Sequence, residues 1–436
     1  MMIGRSIINN GTKLIAVERK AHMTIFTVRV ARFFILIVLP LFSPLLYGVE
    51  VTDFNESVEN ILMVGDQGRY GQIKVDLNYR FEHVDTDSAG KSVGNASTVR
   101  SRIGYLTPTF QGFKLYAEYE GNQDFGANTY NSLRNGKTHY ETVADPQQHE
   151  LNRAWVNYHF FESNLKVGRQ RLKLDNDRFI GNVGWRQMEQ TFDAAVLTSS
   201  FFPDMDITAG YITKIQDIKS LSTAMDSQFI HVGYTVPRFG TLVGYSYWLH
   251  YNDNVADNVK STQTHGVRFD GGYQFADLFR ALYTAEYANQ SDHANNPNAI
   301  RGLDYFHLVL GASALKVTAK VGWEQLGGRE GYGFSTPLAT LHAHQGWADQ
   351  FLSTPSAGIR DIYGSVSTRV MGVNLMAVYH DFDDDTGQVD YGQEYDFVAI
   401  KKWGKHYKLL TKYAYYDAQT HKTDKQVLWV QAGVSF

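Results

Sequence analysis

The sequence predicts an all-β fold: a transmembrane antiparallel β-barrel of about 18 strands, with short periplasmic turns and long extracellular loops. Three observations predict it. Segments whose side chains alternate apolar and polar recur along most of the chain. The connections between these segments alternate short and long. The last segment keeps its alternation to the final residue. Phe436, Val434, Ala432, Val430 and Leu428 share one face there, opposite Ser435, Gly433, Gln431, Trp429 and Val427. The end of a soluble domain ordinarily frays, whereas this one reads as a strand sealed into a sheet.

The elements follow in chain order. Arg29 and Arg32 precede the apolar run Phe33 to Leu39, which continues through Pro40 and Pro44 to Leu46. The run is short and proline-broken, so residues 1–48 read as a secretion signal, cleaved near Gly48. Met23 is an alternative start, which makes residues 1–22 upstream translation. Residues 49–69 form a short lead-in, a periplasmic stub or a lumen plug, and the barrel occupies 70–436. No apolar run beyond residue 48 is long enough for a spanning helix.

The strand segments lie at 70–84, 97–107, 111–121, 149–161, 163–172, 191–200, 204–214, 227–236, 239–251, 262–275, 279–289, 301–313, 315–325, 358–370, 372–383, 393–402, 406–417 and 425–436. In the first, Ile73, Val75, Leu77, Tyr79 and Phe81 oppose Lys74, Asp76, Asn78, Arg80 and Glu82. In the thirteenth, Val317, Ala319, Val321 and Trp323 oppose Lys316, Thr318, Lys320 and Glu324. An apolar stripe backed by a charged one suits a strand between lipid and a wet lumen.

Short links stand at Pro108-Thr109-Phe110, Glu162, Phe202-Pro203, Pro237-Arg238, Asp277-Leu278 and Gly404-Lys405. Long polar stretches fill 85–96, 122–148, 173–190, 215–226, 252–261, 290–300, 326–357, 384–392 and 418–424. A pair of soluble sandwiches gives no reason for such sorting. In lipid an open sheet edge leaves backbone groups unpaired, so the sheet must close.

Composition agrees. Among 436 residues there is no cysteine, which excludes disulfides and thiolate metal sites. Aromatics reach 14%, led by 27 Tyr and 26 Phe. The mean hydropathy of −0.31 looks soluble, but half of each barrel strand faces water. Removing residues 1–48 takes six basic residues and one acidic residue from totals of 41 and 45. That leaves 35 against 44, a net charge of −9. Such a chain has no basic footprint for nucleic acid. No nucleophile elbow, P-loop or metal-helix motif occurs, so no enzymatic activity and no cofactor is expected.

Two loops are chemically dense. Residues 168–193, GRQRLKLDNDRFIGNVGWRQMEQTFD, carry Arg169, Arg171, Arg178 and Arg186 beside Asp175, Asp177, Glu189 and Asp193. Such a loop is suited to fold into the barrel and form a constriction, or to hold itself by its own salt bridges; the two are compatible. Residues 333–352, GFSTPLATLHAHQGWADQFL, include Leu338, Leu341, Trp347, Phe351 and Leu352, which are costly on an exposed tip and imply an inward-packed loop. His342 and His344 are too close for one helix face, and a packed loop is the stronger reading than zinc. The stretch from His380 to Gly387 superficially resembles a calcium loop, but Thr386 stands where Gly is needed and the twelfth position lacks Glu. It reads as a solvated acidic loop bridging divalent cations to lipopolysaccharide.

The strings GRQ…DNDRFIGNVGWRQ and GFSTPLATLH…QGWAD, with Leu151–Val156 and Tyr305–Leu308, resemble bacterial porins of the alginate-export family over roughly 70–436. The resemblance implies an 18-stranded monomeric outer-membrane channel, in one member conducting a polyuronate through an Arg-rich lumen. It also implies that Arg153, Arg169 and Arg171 reach the pore. With them, Arg80, Arg100, Arg102, Arg178, Arg186, Asp175 and Asp193 are the pore-lining or substrate-binding candidates. The expected function is passage of hydrophilic solutes, anionic uronates such as alginate among them. The alternatives are an uptake porin for another small nutrient and a plugged surface-binding barrel. The expected partners are outer-membrane lipid, lipopolysaccharide and the barrel-assembly machinery, which reads a C-terminal aromatic strand.

Overall fold

The computed structural model describes residues 50–436 apart from 253, 254, 299 and 330. The expected signal segment and its alternative start lie outside the described residues. The chain divides into units Met1–Ser57 and Val58–Phe436. A helix, α1, runs Glu50–Leu62; beyond it Met63–Val64 pairs with Gly71 and Gln72. Among the described residues no helix is long and apolar enough to cross a membrane, which says nothing of a barrel.

The barrel strands are β1 Gly71–Thr86, β2 Gly94–Leu106, β3 Phe113–Thr129, β4 Gln148–Phe160, β5 Ser163–Gln170 and β6 Thr191–Ser199. They continue as β7 Met205–Gln216, β8 Ser222–Val236, β9 Gly240–Trp248, β10 Thr262–Ala276, β11 Phe279–Asp292 and β12 Leu303–Ala314. The last are β13 Val317–Leu326, β14 Ile359–Val370, β15 Val373–Asp383, β16 Asp390–Trp403, β17 Tyr407–Ala418 and β18 Lys425–Ser435. Every strand is antiparallel to its chain neighbours, and β1 also pairs with β18 from Asp76↔Ser435 to Thr86↔Lys425. The 18-stranded sheet is therefore closed and has no free edge.

Each segment predicted from alternation corresponds to one strand. The differences are at the long-loop ends: β3 continues to Thr129, β8 begins at Ser222 and β11 reaches Asp292. Backbone pairing persists there beyond the apolar band, where no lipid demands alternation.

The alternation separates two faces. Leu77, Ile103, Val156 and Val321 are exposed on the outside, while Arg80, Glu82, Arg102 and Glu118 are buried inside. At the short-turn end the outer surface carries stacked aromatics, among them Phe113 on Tyr158 and Phe239 on Tyr273. These sit as an interfacial girdle should. We expect Thr138→Cys, in an exposed long loop, to be labelled on intact cells by an impermeant maleimide. Glu162→Cys, on a short turn, should react only after permeabilisation. The reverse pattern would invert the barrel.

The barrel closes at its last residue. Phe436 donates its N–H to the Val75 carbonyl at 2.8 Å and accepts from Val75 N–H at 3.1 Å. Its ring stacks on His406 at 4.1 Å. Deleting Phe436 removes both seam hydrogen bonds and the stack. The expected result is a lower heat-modifiable folded fraction, with unitary conductance of the surviving barrels unchanged. An unchanged folded fraction would refute it.

Candidate functional site: two loops seated in the lumen

The loops 171–190 and 327–358 turn inward and fill the long-loop half of the barrel. Ile180, Gln187, Met188, Glu189, Leu338 and Ala348 are all fully buried. The two loops are stitched together by backbone bonds, Gly181 N–H to Leu338 O at 2.9 Å and Thr340 N–H to Asp177 O at 3.0 Å. Phe179 packs against Tyr245, Tyr247 and Tyr305 of the wall and against Phe334 of the second loop. A one-turn 3₁₀ segment, Leu341–Ala343, sets His342 face to face with Trp185 at 4.4 Å. Leu338, Trp347 and Phe351 of the second loop thus find a core inside the barrel, and Leu341 is half-buried, whereas Leu352, expected to pack inward with them, is exposed.

Charged groups tie this plug to the wall. Arg178 meets Glu324 of β13 at 3.2 Å, and Gln345 donates to the same carboxylate at 2.5 Å. Arg186 reaches Glu82 of β1 at 3.2 Å and Asp349 of the second loop at 2.9 Å. Asp175 pairs with His231 of β8 at 3.0 Å. Lys412 of β17 stands among indoles, 3.6 Å from the Trp347 ring and 4.3 Å from Trp185, and donates to His342 Nε2 at 2.7 Å. The other His342 nitrogen faces Asp349 at 2.8 Å, so the imidazole sits neutral, with its proton on Nδ1.

The wall from β1 to β4 carries Arg80, Arg100, Arg102 and Arg153, and Arg171 opens the first loop beside it, each with a carboxylate. Arg80 meets Asp145 at 3.0 Å, and Arg100 pairs with Asp76. Arg102 pairs with Glu120 and lies 3.7 Å from Glu189. Arg171 meets Glu189 at 2.5 Å. A bulge in β4 leaves Asn152 unmatched across from β3, so that Asn152 and Arg153 both reach Glu118, at 2.9 and 2.8 Å. Arg102, Arg153 and Arg171 line one cavity, with Lys74, Tyr116 and Trp155. Arg80 and Arg100 line a second, with Trp185, Lys402 and Lys408.

Two pore candidates, Arg169 and Asp193, are corrected, and so is the reading of the acidic stretch from His380. Arg169 lies opposite Ala154 and Asp193 in the register, sharing the parity of the exposed Leu165 and Val167. It and Asp193 form their 2.7 Å pair on the outer face, one residue from the loop end of β5. The alternation of β5 is unbroken, so nothing turns Arg169 inward, and an interfacial position makes the charge tolerable there. The acidic stretch from His380 is also only partly a loop. His380 is a buried strand residue facing Asp361 at 3.0 Å, and Asp384 is occupied by the N–H groups of Gln388 and Val389.

Sequence reasoning placed Glu324 on the polar stripe of its strand but missed the inward carboxylates Glu118, Glu120, Glu394 and Asp396, and also Lys412. Their signal was present: charged residues two apart, or alone on the polar stripe of an otherwise apolar strand.

Electrostatics fix the loop groups in definite states. Burial alone would raise the Glu189 carboxyl, but Arg102 and Arg171 outweigh it and bring it down to about 2. Burial drives the His342 imidazole from its usual 6.5 to about 3, with Lys412 adding to the effect. Asp349, despite burial, is held below the ordinary carboxylate range by His342 and Arg186. The unseated imidazole titrates near 6.5 and the seated one near 3, so protons favour the unseated loop. Its contribution to seating is complete above pH 6.5 and is lost as pH falls toward 3; Asp349 acts in the same direction at the acid end. We expect proteolysis of residues 335–353 in purified barrels to accelerate from pH 7 to pH 4, and His342→Gln to blunt the change. Equal cleavage at both pH values would count against it.

Among the described residues no cluster of His, Asp and Glu is arranged to hold a metal ion. What the arrangement offers chemically is a polar lumen whose long-loop half is packed by two loops, with charge fixed in pairs where they meet the wall.

A family model described as alginate export matches residues 70–324. Comparison with curated protein sequences gives no significant match. Among solved structures, OccAB4 of Acinetobacter baumannii aligns with a TM-score of 0.65 at 14% identity, covering 84% of this chain and 98% of that one. OpdK of Pseudomonas aeruginosa, solved with vanillate, aligns with a TM-score of 0.65 at 12% identity and the same coverages. OccAB2 of Acinetobacter baumannii does so at 16% identity with a TM-score of 0.65. At these identities the likeness is one of fold.

Proposed function

The chain belongs to the alginate export family, an outer-membrane β-barrel channel, and from that premise we propose that it conducts hydrophilic anions, uronates included, without catalysis. The observation that carries this reading is the charge of the periplasmic half of the lumen. By register, Lys74, Lys114, Lys166 and Lys320 face inward there, and so do Arg280, Arg369, Lys402 and Lys408. None of these forms an ion pair among the described residues, unlike the arginines at the constriction. Asp76, Asp206 and Asp270 are the acids facing inward in the same zone. The vestibule is therefore basic although the mature chain is acidic. Fixed cations on a water-filled wall raise the local anion concentration and set ion preference.

Uptake of another small anionic nutrient fits the same wall equally well, because a passive channel has no direction of its own. The seated loops favour a second reading, a plugged surface barrel. Single-channel recording in planar bilayers under a salt gradient separates them. Anion conduction gives steady unitary current with a reversal potential of anion sign, larger in magnitude at low salt. A plug gives no steady current, and a cation-signed potential would reject the anionic solute. In this reading the barrel-assembly machinery recognises the Phe436 strand, and lipopolysaccharide contacts the acidic outer rim.

A further inference from the structure

Side-chain parity settles only half of how β1 meets β18. A slip of one residue between them turns every side chain to the wrong face, so the alternation forbids it. A slip of two residues keeps every face and only changes the shear of the closed sheet, so the alternation does not oppose it. The length of β18 does not oppose it either. Its final residue, Phe436, is bonded to Val75, whereas β1 begins at Gly71. The edge of β1 over 71–74 therefore runs on past the end of β18. The lead-in covers that edge. Gln72 pairs with Leu106 of β2 on one side, so its pairing with Met63 lies on the other, the side of β18. Val64 likewise faces Gly71, and Tyr70 N–H donates to the Val64 carbonyl at 2.9 Å. A bare strand edge is a template for wrong pairing, and covering it removes that route.

The lead-in is tied down on both sides of the seam. Leu62, the last residue of α1, leaves the ladder where pairing would otherwise continue from Met63 toward Phe436. Glu59, in the last turn of α1, sets its carboxylate 2.6 Å from Lys405 Nζ and 2.7 Å from His406 Nε2, both in the β16–β17 turn. The His406 imidazole donates from Nδ1 to the Ser435 carbonyl at 2.7 Å and carries the Phe436 ring on its face. On the other side, Tyr105 of β2 donates its hydroxyl to the Tyr70 carbonyl. Glu59 and Met63 line one cavity with Ser435 and Phe436. We infer that residues 59–70 are a register stop. They occupy the track along which β18 would slide toward the short-turn end, and so fix the shear at which the barrel closes. The stop works whatever the lumen conducts.

The native chain has no cysteine, so engineered disulfides report the seam register directly. Three pairs are compared in the full chain, refolded into detergent and oxidised. Leu77→Cys with Val434→Cys reads the observed register. Val75→Cys with Val434→Cys reads a two-residue slip toward the short-turn end, and Tyr79→Cys with Val434→Cys reads the opposite slip. Each disulfide is scored on the folded, heat-modifiable band alone. With the lead-in intact, the first pair should crosslink and the other two should stay at background. Adding Met63→Pro and Val64→Pro, which cannot donate to the ladder, together with Glu59→Gln should raise the 75–434 product about tenfold and leave 79–434 at background. No rise in the 75–434 product overturns the stop. An equal rise in both slipped products overturns it as well, because the lead-in then only tightens the seam. Should the prolines leave no folded band, Glu59→Gln with Lys405→Gln decides by the same ratio of products.

Discussion

Excising residues 335–353 and joining Phe334 to Thr354 through a glycine pair is expected to raise unitary conductance several-fold. The excision is geometrically mild, because the loop's two ends already touch: Thr354 Oγ1 donates to the Phe334 carbonyl at 2.7 Å. It removes the groups that cap the wall, namely the Gln345 amide on Glu324 and the Trp347 and Ala348 N–H groups on Asp396 and Glu394. Water replaces them as the lumen opens, so these carboxylates are rehydrated rather than stranded. The backbone ladder of the wall is untouched, and the folded fraction should hold. Unchanged conductance would mean that ions do not pass where this loop sits.

Replacing Arg186 with Met is expected to be the most damaging single change inside the barrel. Its guanidinium joins Glu82 of the first strand to Asp349 of the second loop and approaches Asp145 at 3.9 Å, with all three carboxylates buried. Removing one partner of a buried pair leaves uncompensated charge and costs about 3–5 kcal/mol. The wall is held by its own ladder, so the loss should appear as unseating of the loops: rapid proteolysis within 171–190 and 335–353, and noisy, larger currents. Adding Glu82→Gln and Asp349→Asn should recover much of the seating, because it removes the stranded charges. A variant whose loops stay protected would assign the seating to the apolar contacts of Phe179 and Leu338 alone.

The wall was legible in the sequence because each strand answers to two solvents, and a residue such as Leu77 or Arg80 declares its side by parity alone. The strand ends were less legible, since past the lipid β3 and β11 continue on backbone pairing that no side-chain pattern marks. That the apolar second loop packs inward was legible from its leucines and aromatics. What it packs against was not: the partners of Arg178 and Arg186 are Glu324, Glu82 and Asp349, distant in the chain and brought near only by closure. The same cause misplaced Arg169. A basic motif reads alike whether its arginines face the lumen or the rim, and only the register across β4, β5 and β6 separates them.

The inner loop also bears on how the barrel comes into being. Closure joins Val75 to Phe436, near the two ends of the folded wall, and contacts so distant in sequence are slow to find. Trp185 lies against that seam from within. Its ring is 4.6 Å from the Arg80 guanidinium on β1 and 5.5 Å from Trp429 on β18. Arg186 beside it holds Glu82 of the same first strand. Once loop 171–190 has docked on β1, its indole is a template waiting for the final strand, and the search for closure is shortened by whatever entropy that docking has already removed. In refolding into detergent, Trp185→Ala should therefore slow the appearance of the compact form while leaving the earlier growth of strand signal unaltered.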